Sequence, residues 1–157
     1  MATTVADATL KVTIKEELFL NGRDEGSETT KSYTVDECIR FVKTCLADVT
    51  VALVTFGTAF TLGGSILDKA RVKYVRITNL DALQTVELGI HDGASNAIHK
   101  LGPGQSYVLM TGTEGTFDLG ALSTDLNPTS GLTDISGIYA HCYGGNAIDV
   151  EVFAASA

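Results

Sequence analysis

The chain has 157 residues, 45% hydrophobic and 19% charged, which fits one domain with a packed core and excludes a disordered or low-complexity protein. Eleven Lys and Arg against nineteen Asp and Glu give a formal net charge of -8, removing the attraction that drives binding to nucleic acid or anionic membranes. No apolar run reaches the roughly 18 residues of a membrane helix, residues 1–8 lack the features of a secretion signal, and three cysteines without a CxxC pair argue against a disulfide framework.

Residues 1–8 are small and weakly patterned, and are expected to form a flexible N-terminal arm ahead of a single domain over 9–157. In 9–20, Leu10, Val12 and Ile14 alternate with Lys11, Thr13 and Lys15, the period-two pattern of a strand with one wet face. Asn21-Gly22, followed by Asp24, Glu25 and Gly26, predicts a hairpin near 20–30. The stretch 34–46 reads two ways. Thr34 and Glu37 fit a capping box for a short helix carrying Ile39, Val42 and Leu46, while Ile39, Phe41 and Lys43 also alternate with Arg40, Val42 and Thr44 as in a strand. The β character of the surroundings favours the strand.

The β-branched run 49–60 reads as a central strand buried on both faces. The alternation in 71–79 and 85–90, separated by a short turn bearing Asp81, predicts a second hairpin, with Ile77 and Leu88 as filled core positions. Further strands are expected at 106–110, 116–119, 137–142 and 148–153, with Leu101-Gly102-Pro103-Gly104 as a turn. Seven or eight short strands at this spacing, with no repeat and no linker, indicate an all-β antiparallel sandwich of jelly-roll type.

The pattern holds little catalytic chemistry. His91, Asp92 and His99 lack the spacing of metal ligands and read as polar residues at a loop mouth. His141 and Cys142 are strand neighbours whose side chains diverge, and Cys38, Cys45 and Cys142 read as small hydrophobes. Asp149 and Glu151 alternate with Ile148, Val150 and Val152 as a solvated face does. The expectation is a non-enzyme with no catalytic residue, no metal and no cofactor. Against the acidic balance, Lys69, Arg71, Lys73 and Arg76 form a basic stripe, which reads either as an interface for an acidic partner or as a charged edge strand.

Segments 72–81 (VKYVRITNLD), 100–110 (KLGPGQSYVLM) and 149–153 (DVEVF) resemble those of small virion structural proteins of tailed bacteriophages, cyanophages especially. The resemblance runs from about residue 9 to the C-terminus and rests on fold motifs. It implies a virion component assembled in the host cytoplasm, without catalytic residues: a capsid decoration (cement) protein that bridges major capsid subunits as a homo-oligomer, a trimer being one option. A tail adaptor or fibre-associated protein and a surface carbohydrate-binding module are the alternatives. Arg71, Lys73 and Arg76, with Met1, Ala2, Thr3 and Thr4 of the arm, are the expected interface residues.

Overall fold

The computed structural model describes residues 7–57, 66–68, 71–91, 96–110 and 135–157. Among these residues the chain is all β, with thirteen strands and no helix. The first four strands, β1 (Ala8–Glu16), β2 (Phe19–Leu20), β3 (Arg23–Asp24) and β4 (Ser27–Val35), make one long hairpin. Ala8 faces Val35, Glu16 faces Ser27 and Leu20 faces Arg23, so one register runs from root to tip. Asn21 (φ 50°) and Gly22 (φ 78°) close it with the two left-handed residues that match the right-handed twist of a hairpin. Gly26 is needed because a Cβ there would lie 2.4 Å from the carbonyl oxygen of Glu16.

The other strands are β5 (Glu37–Cys45), β6 (Thr50–Gly57), β7 (Ile66–Asp68), β8 (Val72–Asn79), β9 (Val86–His91), β10 (Asn96–Leu101), β11 (Ser106–Met110), β12 (Gly137–Cys142) and β13 (Ile148–Ser156). They form a five-stranded sheet in the order β10-β9-β12-β6-β7 and a four-stranded sheet in the order β11-β8-β13-β5. Pairing is antiparallel except between β6 and β7. One hydrophobic cluster draws on both sheets: Leu53, Leu88, Ile90 and Ile138 from the first, Val75, Ile77, Val150 and Val152 from the second.

The strand favoured for 34–46 is found, and two other sequence expectations are corrected. The helical option for 34–46 is excluded, because β5 pairs with β13 along its whole length and sends Ile39 and Phe41 to the core. The strands at 72–79 and 86–91 do not pair with each other. β8 bonds to β11 and β13, and β9 to β10 and β12, so the 80–85 connection crosses between sheets. Asn79 holds that crossover. Its buried Nδ2 donates to the carbonyls of Gln84 (2.8 Å), Leu101 (3.1 Å) and Gly102 (3.1 Å), and its Oδ1 accepts from the Asp81 N–H (3.0 Å).

Over its described part, 49–57, the run at 49–60 is not buried on both faces along its length, and 58–60 lie outside the described residues. β6 lies one strand in from the edge, and its only fully buried residues are Leu53 and Val54. Ile138 faces Val54 and Tyr139 faces Ala52, so Leu53 is the extra residue of a bulge, which turns two consecutive side chains inward. A second irregularity places Val72 opposite Ser156 and Tyr74 opposite Ala155. Lys73 is left over, and Val72 joins Val75 and Ile77 in the core instead of sharing the Tyr74 face. The expected strand at 116–119 lies outside the described residues. β10 escapes sequence reading because all but its last residue are exposed, and its only large apolar side chain before Leu101 is Ile98.

Candidate interaction surfaces

The hairpin has a covered root and a bare tip. At the root, Tyr33 and Val35 are buried with Tyr74 and Ala155 on the outer face of the four-stranded sheet, and Leu10, Val12 and Phe153 pack around them. From Thr13 to Ser32 every residue is exposed. Asn21 of the turn stands nine positions beyond Val12, which makes an arm of about 30 Å. Its end carries Leu18, Phe19 and Leu20, exposed by 53%, 75% and 56%. An isolated two-stranded ribbon is marginal in water, so apolar side chains clustered at its far end are unfavourable unless a second surface covers them.

Beside the root, the outer face of the same sheet buries a carboxylate. Glu151 on β13 accepts from Arg40 Nε (2.8 Å) and Nη2 (2.5 Å) on β5, and from Arg76 Nη2 (2.7 Å) on β8. The Arg76 guanidinium also lies 5.8 Å from the ring centre of Phe153, which meets Tyr74 edge-on. The hydrogen bonds from Arg40, with those from Arg76, hold the Glu151 carboxyl below the usual glutamate range. The solvated face expected for the pair survives only at Asp149, which is exposed and accepts from Thr44 Oγ1 (2.6 Å).

The expected interface residues are thus dispersed. Arg71 ties the corner between β4 and β5 to the last residue, through the Asp36 carboxylate (2.5 Å) and the Ala157 carbonyl (2.7 Å). Arg76 belongs to the Glu151 cluster, and Lys73 is half-buried at its irregular position. Lys69, Met1, Ala2, Thr3 and Thr4 lie outside the described residues. The charge of both arginines is therefore matched within the chain. Reversing Arg71 would loosen the hairpin root as well as any surface it presents.

The outer face of the five-stranded sheet carries a depression of about 420 Å³. Its floor is Gly89, which faces Ile98 on one neighbouring strand and Tyr139 on the other. Among the described residues a Cβ at Gly89 would meet nothing within 4 Å, so they leave the slot between those two side chains open. At Gly137, in contrast, a Cβ would meet the Tyr139 ring at 3.0 Å, so this glycine gives the ring its place. His141 accepts or donates at Thr50 Oγ1 (2.9 Å) and lies 4.3 Å from the Tyr143 ring, while His91 bonds Ser136 Oγ (2.9 Å). Glycine in a strand interior costs stability, and Gly89 has no steric reason to stay. Replacing Gly89 with Thr should raise unfolding stability by about 0.5–1 kcal/mol, read as a higher urea midpoint; a lower midpoint would contradict the open geometry.

The remaining chemistry stays apart. His91 is the last residue of β9 and His99 lies within β10, and they point to opposite faces: His91 borders the outer depression, and His99 lies 4.8 Å from Tyr107 of the other sheet. Asp92 lies outside the described residues. Among the described residues, no group of three or more His, Cys, Asp or Glu stands where it could hold a metal ion. Cys45 and Cys142 are buried, and desolvation pushes both thiols up, whereas Cys38, expected to be a small hydrophobe, is exposed. His141 and Cys142 point to opposite faces of β12, as their adjacency predicts. No protein-family model, no curated protein and no solved structure matches the chain.

Proposed function

We propose that this chain is a non-enzymatic structural subunit of a virus particle: a jelly-roll sandwich that decorates the capsid as a homo-oligomer and cements neighbouring major capsid subunits through its hairpin arm. The observation that carries this reading is the arm. A rigidly rooted ribbon whose exposed end bears three adjacent large apolar residues is suited to reach a neighbour and bury those residues there. Gain per joint is modest, but it accumulates over the many equivalent joints of a shell.

Strand order supports the sandwich. The sequences β5-β13-β8-β11 and β6-β12-β9-β10 are the arrangement that two Greek keys produce when eight strands are wound into two facing sheets, with β7 added on one edge. That architecture hosts many functions, so the virion assignment rests on the resemblance of segments 72–81, 100–110 and 149–153 together with the arm. The tail reading shares both and differs in location.

The test replaces Leu18, Phe19 and Leu20 together with Ser. Because all three are exposed, the isolated protein should keep its melting temperature, while self-association by native mass spectrometry and attachment to particles fall sharply. Unchanged attachment would overturn the arm's role. Particles lacking the protein should rupture at lower temperature; particles that keep full thermal stability but lack a tail would replace the cement role by the tail one.

A further inference from the structure

We propose that the depression around Gly89 binds the terminal pyranose ring of a neutral glycan. This inference does not depend on the role of the arm. Its first support is the glycine itself. A strand interior carries Gly at a cost, and the usual compensations are a left-handed φ, a close backbone neighbour or a ligand that comes down onto the bare main chain. Gly89 has no left-handed φ, and among the described residues no atom lies within 4 Å of where its Cβ would be, which leaves the ligand.

Aromatic residues supply the second support. The chain has five tyrosines and three histidines, and two of each, Tyr139, Tyr143, His91 and His141, line this one depression. They come from β9, β12 and the segment after β12, so only the folded sheet brings them together. Tyr143 is 64% exposed, and although its ring packs against His141 (4.3 Å), its exposed side offers a large apolar surface with a polar end to the C–H face of a sugar. Glu87 and Asn96 on the wall offer acceptors and donors to ring hydroxyls. The volume of about 420 Å³ falls in the small-ligand range of roughly 300–1,000 Å³.

Charge selects the class of sugar. The Glu87 carboxylate on the wall is paired with Lys100 Nζ (3.1 Å), so that lysine is not left free for an acidic sugar, and the chain's net charge of -8 disfavours sialylated or sulfated ends and leaves neutral ones.

The experiment applies the labelled full-length protein to an array of neutral and sialylated glycans and titrates the strongest neutral oligosaccharide by calorimetry. Two variants accompany it. Gly89→Leu fills the slot from its floor, where the open space admits a side chain, and should abolish binding while the melting temperature holds or rises. Tyr143→Ala removes an exposed ring and should weaken binding about three- to tenfold. Neutral-glycan binding that both variants impair supports the site. Binding to sialylated glycans alone, binding that neither variant affects, or no binding to any neutral glycan would overturn it. So would a Gly89→Leu protein that loses self-association instead, because the depression would then receive a second copy of the chain.

Discussion

Replacing Leu88 with Ala should destabilise the protein by about 2–5 kcal/mol, the range for a large-to-small change at a filled core site. Leu88 is fully buried on the inner face of β9, in the cluster that also holds Ile77 from the opposite sheet. The loss combines the transfer free energy of the deleted methyl groups with the contacts forfeited around the space they leave. Because β9 is bonded on both sides, by β10 and β12, its backbone has little freedom to close that space. Leu83 is the control. It is 88% exposed in the crossover after β8, and Leu83→Ala should change stability by less than about 0.5 kcal/mol. Urea unfolding of the two variants decides the matter: equal midpoints would mean that the inner face of β9 is not packed as described.

Substituting Glu151 with Gln should cost about 1–3 kcal/mol near neutral pH. Glu151 is 7% exposed, and the change leaves two guanidinium groups facing a neutral amide. The loss falls short of the full penalty for a broken buried pair because the Arg40 and Arg76 side chains keep 68% and 37% of their exposure and regain some hydration.

Acid should reveal the same cluster. The folded-state pKa of Glu151 lies below the ordinary value of 4.5, chiefly through the Arg40 hydrogen bonds. Its contribution is therefore complete above the unfolded value, declines as pH falls below 4.5, and is gone once pH is below the folded value. Wild-type protein should lose this part of its stability in that window, and Glu151→Gln should not. A variant with the wild-type acid slope and neutral-pH stability would show that the carboxylate is unmatched in the fold.

The arm and the depression lie on outer faces of the two different sheets, so a chain that cements through one can still present the other. The separation lets them be tested singly: the serine substitutions at the arm's end touch no residue of the depression, and Gly89→Leu touches no residue of the root.

What the sequence determined by itself is the local part of this design. Alternation of Leu10, Val12 and Ile14, the apolar positions of β9, and the turn residues Asn21-Gly22 and Gly102-Pro103-Gly104 mark strands and reversals, because backbone geometry sends successive strand residues to opposite faces and left-handed turns favour Asn and Gly. The all-β class follows from them. Tertiary structure alone decided which strands are partners and which faces are covered. Nothing local distinguishes a β8–β9 hairpin from a crossover, since both need a turn at Asp81; the choice is made by Asn79 reaching the carbonyls of Leu101 and Gly102 more than twenty residues away. Glu151 alternates like any solvated carboxylate, and it is buried by arginines 111 and 75 residues distant. The bare floor at Gly89 becomes a depression only when Ile98 and Tyr139 are paired on either side of it. Periodicity is a property of one strand's backbone, whereas burial, charge matching and concavity belong to contacts between strands far apart in the chain, which a local pattern does not encode.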